Sequence, residues 1–455
     1  MKEEVIAVFD IGKTNKKLLL FDKELNLVRE TEEKLPATTD EDGFECDDIE
    51  LIETWVTKSL QNLVKAGDFT LLAVNFATYG ASLVYIDGQG RRLTPVYNYL
   101  KPVDESIPEK LYGRYGGREE FCRCTASPAL GMLNSGIQAL WLKYTRPEVF
   151  SKVKHILHLP QYFSFLLTGR AVSEHTSIGC HTALWDFDRM NYHAWTRDEN
   201  LKLPQPVPVS TLYETNILNH KVMCGTGIHD SSASLAPYFS QDTGKFILVS
   251  TGTWCISMNP FNNSQLTAEE LEQDCLCYLS INGEPVKSSR LFLGHMHDDA
   301  IYVLSQYFKI HENSFRLIKP DVKLLNRMIG KFEGEKVFTI PELIPGKLKD
   351  EPELFHFDNF IEAYHQLMIE LADLTVDAIN RVIGEEDNTE QLYITGGFSK
   401  NPLFLKLVAS SFPHLKVQTS EISNSTSLGT AMVTLKALMP EKEIRPELGL
   451  AEVTI

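Results

Sequence analysis

Val5-Ile6-Ala7-Val8-Phe9 runs directly into Asp10-Ile11-Gly12-Lys13-Thr14-Asn15-Lys16. The first five residues are all apolar, which predicts a buried strand. The glycine that follows predicts a turn at the strand's end, where backbone N–H groups approach an anion with no Cβ in the way. The same pattern occurs twice more. Phe246-Ile247-Leu248-Val249 leads into Ser250-Thr251-Gly252-Thr253-Trp254, and Leu392-Tyr393-Ile394 leads into Thr395-Gly396-Gly397-Phe398-Ser399-Lys400-Asn401. One such turn is an ordinary hairpin. Three of them, two opening similar strand–turn segments in the two halves of the chain, predict a nucleotide held between two related domains.

Outward from the first stretch, the pattern predicts a meander of Val5–Asp10, Lys17–Asp22 and Leu25–Glu33, then a helix over Ile49–Lys65. Strands are predicted at Leu71–Phe76 and Leu83–Ile86. Leu133, Ile137, Leu140, Trp141 and Tyr144 recur at helical spacing, and Ser127-Pro128 before them has the chemistry of a cap and first helical residue. Leu203-Pro204-Gln205-Pro206-Val207-Pro208 predicts a stiff surface connector. Near residue 243 the strand–turn–strand pattern restarts. The longest helix signal is Phe360–Ile383, with Gly384 placed to stop it. A strand follows at Gln391–Thr395, and Gly429-Thr430-Ala431-Met432 opens a last helix. The acidic cluster Glu385-Glu386-Asp387 predicts a solvated turn.

At 455 residues the chain has room for two domains, each with its own core. The net charge of −17, with no basic tract, argues against nucleic acid or an anionic membrane as partner. No apolar run is long enough to span a bilayer, and Met1-Lys2-Glu3-Glu4 leads straight into a strand, so a cytoplasmic protein without a signal peptide is expected. The eight cysteines include no C-x-x-C pair, and reduced thiols are expected.

Each motif has a chemical reading beside a plain one. Asp10 at a strand end suits Mg²⁺, which favours one or two carboxylates plus phosphate oxygens. Gly12 and the amides of its turn suit the β- and γ-phosphates of ATP, with charge from Lys13 or Lys16. Thr251-Gly252-Thr253 has two hydroxyls and a glycine for phosphate, and Gly396-Gly397 offers bare backbone to a purine. The same letters also build routine turns. Asp230, flanked by small residues in Gly225-Thr226-Gly227-Ile228-His229-Asp230-Ser231-Ser232-Ala233-Ser234, suits a base that takes a hydroxyl proton during phosphoryl transfer. It equally suits a helix cap. In His295-Met296-His297-Asp298-Asp299 the two histidines share a face on a strand but not on a helix. With no third ligand placed, the segment reads as a loop or helix start and not as a metal site.

In this order the pieces resemble the FGGY carbohydrate kinase family, over nearly the whole chain. Asp10–Thr14 and Val249–Trp254 resemble its two phosphate motifs, Gly396–Asn401 its adenosine motif, and Leu157–Gly169 its central proline–tyrosine…leucine–threonine–glycine segment. The resemblance implies an α/β fold of two actin-like (ribonuclease H-like) domains, of the actin/hexokinase/Hsp70 superfamily, with a central ligand cleft. It implies an N-terminal domain over 1–243 with the sugar site and a C-terminal domain over 244–455 with the adenosine site. It implies ATP as co-substrate, with Asp10, Gly12, Lys13, Thr14, Asn15, Lys16, Thr251, Gly252, Thr253, Gly396, Gly397, Phe398 and Asn401 around it. Mg²⁺ is implied on Asp10, and Asp230 as catalytic base.

Within the family, Thr78-Tyr79-Gly80-Ala81-Ser82 and His229-Asp230 are most similar to rhamnulokinases and related 6-deoxyketose kinases. Tyr79, Gly80, Ser82, Asn134, His229 and Asp230 are then implied as sugar contacts. Phosphorylation at O1 of L-rhamnulose or L-fuculose is the implied reaction, since such a sugar has no O6 hydroxyl. A pentulose, polyol or other ketose kinase is a second reading. A catalytically silent nucleotide- or sugar-binding sensor is a third, against which Asp230 argues. The resemblance also leaves room for a homodimer. Three positions depart from the pattern: Ser82 and Tyr99 stand where Asp is usual, and Gln161 follows proline in place of Asp.

Overall fold

The computed structural model describes residues 2–241, 244–332, 334–338, 353–384, 387–422 and 424–454. The expected domain boundary at 243/244 and most of the acidic turn at 385–387 therefore fall on or beside residues outside that set. The first half contains β1 (Glu3–Ile11), β2 (Lys16–Phe21), β3 (Leu27–Glu33), α1 (Ile49–Ala66), β4 (Phe69–Thr78), α2 (Ser135–Thr145), α3 (Leu159–Thr168), β5 (Leu212–Ile217), β6 (His220–Gly225), β7 (Ile228–His229) and α4 (Asp230–Phe239). Its sheet runs β5-β6-β4-β1-β2-β3, with β7 paired to β4.

The second half contains β8 (Lys245–Thr251), β9 (Cys255–Asn259), β10 (Cys275–Leu279), β11 (Pro285–Leu291), α5 (Leu293–Phe308), α6 (Phe360–Asn380), β12 (Thr389–Gly396), α7 (Pro402–Ser411), β13 (Lys416–Thr419), α8 (Ser425–Leu438) and β14 (Ala451–Glu452). Its sheet runs β10-β11-β9-β8-β12-β13-β14. In each half the first strand is antiparallel to the next and parallel to the strand that returns after a helix: β1 with β2 and β4, β8 with β9 and β12. The repeat expected from the two strand–turn segments is therefore structural.

Strand periodicity explains how the halves are tied together. Successive side chains of β1 point to opposite faces. Val5, Ala7, Phe9 and Ile11 pack with Ile52, Val56 and Leu60 of α1, while Ile6 and Val8 pack with Leu428, Ala431 and Leu435 of α8. In β8, Ile247 and Val249 face Leu367 and Leu371 of α6, and Phe246 and Leu248 face Leu235 and Tyr238 of α4. So α4, which follows the first sheet, lies on the second, and α8, which follows the second, lies on the first. The two helices touch at Gly429, where a Cβ would stand 1.9 Å from the Ala233 carbonyl oxygen. A domain split at 243/244 divides the chain but not the packing.

Three predicted boundaries move. The helix expected to start at Ser127-Pro128 starts at Ser135. Ser127 Oγ instead donates to the Thr125 carbonyl and accepts from Ala183 N, so its capping chemistry serves a loop. The long helix ends at Asn380, before Gly384. The last helix starts at Ser425, a full turn before Gly429. All eight cysteines are free and buried. Among the described residues no helix is long and apolar enough to cross a membrane.

Candidate active site

Asp10 and Asp230 arrive at the junction from different directions. Asp10 sits near the end of β1, half-buried, and its Oδ2 accepts from Ser427 Oγ at 2.8 Å, in the first turn of α8. Burial raises the Asp10 carboxyl above its ordinary range, the Ser427 hydrogen bond opposes this, and the charge of Asp230 adds to it. Asp230 is the first residue of α4, with His229 as the cap. Its Oδ1 accepts from Ser231 N at 2.6 Å and Ser231 Oγ at 3.3 Å, and faces His229 Nε2 at 3.2 Å. All three contacts fall on one oxygen, and Oδ2 has no protein partner among the described residues. A cleft of about 220 Å³ lies beside it, lined by Asp230, Ser231, Ser234, Ser250, Thr395, Ser425 and Thr426 among others.

The second glycine turn continues from that cleft. Ser250 pairs with Thr395 and Thr251 with Gly396 across β8 and β12. Just beyond these pairs a cavity of about 590 Å³ is lined by Gly252, Thr253, Gly397, Phe398, Lys400, Asn401, Pro402 and the start of α5. That is the size of a small-molecule site. Gly396 has φ +91° and would place a Cβ 1.8 Å from the Thr251 carbonyl oxygen, so no other residue fits. Gly397 N donates to that same oxygen at 2.6 Å.

Not every predicted contact has a group to offer. Thr251 Oγ1 donates to the Thr395 carbonyl at 2.5 Å and accepts from Phe398 N at 3.0 Å, so it holds the two turns together. Asn401 caps α7 through Oδ1, and its Nδ2 donates to Tyr364 OH at 2.9 Å. Gly12 N donates to the Asn15 carbonyl in the first turn, and Thr14 is exposed there. Asn15 Oδ1 is buried with no partner.

The two lysines expected to bring charge to that turn are both committed to Asp47. Lys13 Nζ lies 2.6 Å from Asp47 Oδ2, and buried Lys16 lies 3.1 Å from Oδ1. The reason is strand alternation: Lys17, not Lys16, is the cross-strand partner of Asp10. Lys17 Nζ reaches Glu30 Oε1 at 2.8 Å and Asn424 Oδ1 at 3.0 Å.

The remaining predicted residues form a second, buried polar group. Tyr79 OH donates to Asp47 Oδ2 at 2.7 Å. Gly80 lies against the His229 ring, Ser82 is buried, and Asn134 Nδ2 donates to the His181 carbonyl at 2.8 Å. Cys180 Sγ stands 3.3 Å from His229 Nε2. Ala81 and His181 hold φ of +59° and +41°, conformations that non-glycine residues pay strain to adopt. Burial pushes the imidazole of His158 down to about 3 and that of His181 down to about 4, and lowers His229. All three rings are neutral at pH 7.

Glu174, Cys180, His181, Asp47 and Ser427 were not singled out from sequence. The run Ser425-Thr426-Ser427 before Gly429 was a usable signal for the last of these. Among the described residues no group of three or more His, Cys, Asp or Glu could hold a metal ion, and His295 and His297 lie in the first turn and a half of α5. A single carboxylate such as Asp10 is what a Mg²⁺ ion carried on phosphates requires.

Behind Asp230 runs a buried chain. His229 N donates to Thr176 Oγ1 at 3.0 Å, and Thr176 Oγ1 donates to Glu174 Oε2 at 2.5 Å. Burial raises the Glu174 carboxyl from 4.5 to about 7. A carboxyl raised by folding favours the protonated form, so its contribution is full below about pH 4.5 and is lost as pH climbs to 7. That shift corresponds to roughly 3 kcal/mol. Urea unfolding of wild type and Glu174→Gln at pH 5 and pH 8 should show wild type losing ground to the variant at the higher pH. A difference independent of pH would contradict it.

Residues 5–226 match the family described as "FGGY family of carbohydrate kinases, N-terminal domain", and residues 243–323 match "Carbohydrate kinase FGGY, C-terminal domain". The chain belongs to the FGGY carbohydrate kinases. The kinase is 22% identical over 435 residues to the rhamnulokinase of Oceanobacillus iheyensis, covering 88% of this chain and 85% of that one. A carbohydrate kinase from Novosphingobium aromaticivorans superposes with a TM-score of 0.81 at 23% identity, covering 100% of this chain and 94% of the other. Ligand-bound xylulose kinase from Lactobacillus acidophilus superposes at 0.75 and 17% identity, covering 96% and 90%. The two-domain actin-like fold and the kinase class both stand on these matches, and the likeness to rhamnulokinases agrees with the one drawn from Thr78–Ser82 and His229-Asp230.

Proposed function

We propose that the kinase transfers the γ-phosphoryl group of ATP to O1 of a 6-deoxyketohexose, L-rhamnulose or L-fuculose, with Asp230 as general base. The observation that carries this reading is the free Oδ2 of Asp230 beside the cleft between α4, the ends of β8 and β12 and the start of α8. As the sugar O1 attacks the γ-phosphorus, its proton passes to Asp230 Oδ2. The bond from the γ-phosphorus to the β,γ-bridging oxygen breaks, and ADP leaves. Thr253 and the amides of the Gly12 and Gly252 turns face the phosphates, and Gly396-Gly397 with Phe398 flank the base. Asp10 would hold Mg²⁺ together with phosphate oxygens; bound there, the ion neutralises charge on the transferring group. Ser427 keeps the Asp10 carboxylate oriented.

The sugar class rests on the polar group around Gly80. Its three imidazoles are neutral, which suits a neutral polyhydroxy ligand better than a charged one. A sugar acid would meet paired cations: Arg290, whose charge reaches the His181 imidazole, is paired with Asp274, and Lys13 and Lys16 are paired with Asp47. The likeness to a rhamnulokinase favours a 6-deoxyketose among neutral sugars.

A coupled ADP-release assay across L-rhamnulose, L-fuculose, D-xylulose, D-ribulose, glycerol and D-gluconate tests the assignment. One of the first two should show the highest kcat/KM, by roughly tenfold or more, the range one buried methyl provides. A pentulose or polyol ahead by tenfold would overturn the substrate and leave the phosphoryl transfer standing.

A further inference from the structure

The two helices that cross at Gly429 carry the reaction on one side of the crossing and a cavity on the other. Asp230 opens α4 a turn before Ala233, and Ser427, which holds Asp10, stands in the first turn of α8 before Gly429. A turn past that contact, Ala236 and Phe239 of α4 and Met432, Val433 and Lys436 of α8 line a cavity of about 820 Å³. It shares no lining residue with the cleft beside Asp230 or with the 590 Å³ cavity. Its size is that of a small-molecule site. Its chemistry is divided. Val209, Ala236, Met432 and Val433 give it a buried apolar floor, while the rim is charged. Glu443 and Arg445 there pair with each other at 2.6 Å. Lys436 pairs with no carboxylate among the described residues. Its ammonium donates to the carbonyls of Pro440 at 2.5 Å and Lys442 at 3.3 Å, which leaves one N–H free and the charge unmatched. An unmatched cation above an apolar floor complements an apolar body that carries one anionic group.

We propose that this cavity is a second ligand site, for a small molecule with an apolar body and a single anionic group, and that its occupant lowers nucleotide affinity through the crossing of α4 and α8. Helices in backbone contact at Ala233 and Gly429 cannot change their separation on one side without turning about that contact. ATP, on the reading above, is held by the glycine turns of both halves, so binding it draws the halves together and turns α4 against α8. That turn reshapes the cavity at the far ends of the same helices. A molecule fitted to the cavity as it stands here opposes ATP to the extent that it binds this arrangement better than the turned one. The coupling rests on the ATP reading, whereas the site itself does not.

The probe is anilinonaphthalene sulfonate, an aromatic body with one sulfonate whose fluorescence rises in apolar surroundings. It should bind wild type, and at saturation it should weaken Mg·ATP, read by calorimetry, by about fivefold or more. Mg·ATP should weaken the probe by the same factor and no further, because linkage is reciprocal and, unlike competition, reaches a limit. Val433→Trp, which fills the floor, should remove probe binding and the effect on Mg·ATP together. Lys436→Glu, at an exposed rim position, should weaken the probe by about fivefold or more and decides the site even where the larger substitution fails to fold. Absence of probe binding overturns the site, and so does binding that neither variant weakens. Complete displacement of the probe by Mg·ATP does the same, since it would put the probe in the nucleotide pocket. Probe bound here with the affinity for Mg·ATP unchanged overturns the coupling. No Mg·ATP binding by wild type removes the nucleotide reading and the coupling with it, and the two variants still decide the site.

Discussion

Asp230→Asn should lower sugar phosphorylation by about 10²–10⁴-fold while Mg·ATP binds as before. The substitution isolates the chemistry because it keeps the local structure. Asp230 uses only Oδ1 for its bonds to Ser231 and its contact with His229, and asparagine retains an oxygen there. What disappears is the second carboxylate oxygen, which holds no protein partner and is assigned to the hydroxyl proton. An amide nitrogen in that position cannot accept it. The measurement is single-turnover ADP formation with the preferred sugar, beside calorimetric ATP binding. A variant with near-normal turnover would remove Asp230 from the mechanism. A variant that loses ATP binding together with activity would mean that it acts through the nucleotide.

Gly429→Val should destabilise the fold by at least about 3 kcal/mol. The nearest obstacle to a side chain at this position is backbone, the Ala233 carbonyl oxygen 1.9 Å from the ideal Cβ. Pro237 has no N–H to bond that carbonyl, but the oxygen belongs to the backbone of α4 and has little freedom to move, so α4 and α8 must move apart. Each lies on the sheet of the other half, and a separation there loosens contacts of Leu428, Leu435, Leu235 and Tyr238 at once. Gly88→Ala, at a glycine with open space around it, serves as the control and should stay within about 0.5 kcal/mol of wild type. Urea midpoints decide the matter. Gly429→Val unfolding with the control would show that the crossing has slack.

The features legible in the sequence are those that a strand announces locally. Val5–Phe9 and Phe246–Val249 are continuous apolar runs that end in glycine turns, and both are buried first strands of their sheets. The small residues around Asp230 marked a segment that is a helix start beside a cleft. What could not be read depends on pairing. Lys13, Lys16 and Lys17 look interchangeable in a list, and only the register of β1 against β2 puts Lys17 beside Asp10 and sends Lys16 to Asp47. Ser127-Pro128 has the letters of a helix start, yet its hydroxyl is held by a strand-less loop through Ala183. A last helix was expected from Gly429-Thr430-Ala431-Met432 onward. Nothing in that pattern says that it covers Ile6 and Val8, hundreds of residues away in sequence, because amphipathicity names a face and not its partner.

The exchange of α4 and α8 between the sheets also sets a timetable for biosynthesis. Ile6, Val8, Leu19 and Phe21 leave the ribosome roughly 400 residues before their cover, Leu428, Ala431, Met432 and Leu435. At the usual 5–20 residues per second that interval is roughly 20–80 s. Throughout it the nascent first sheet presents one bare apolar face, the kind of surface that holdase chaperones bind and that nucleates co-translational aggregation. The contact that locks the finished enzyme together thus makes its first half dependent on protection until α8 has been translated.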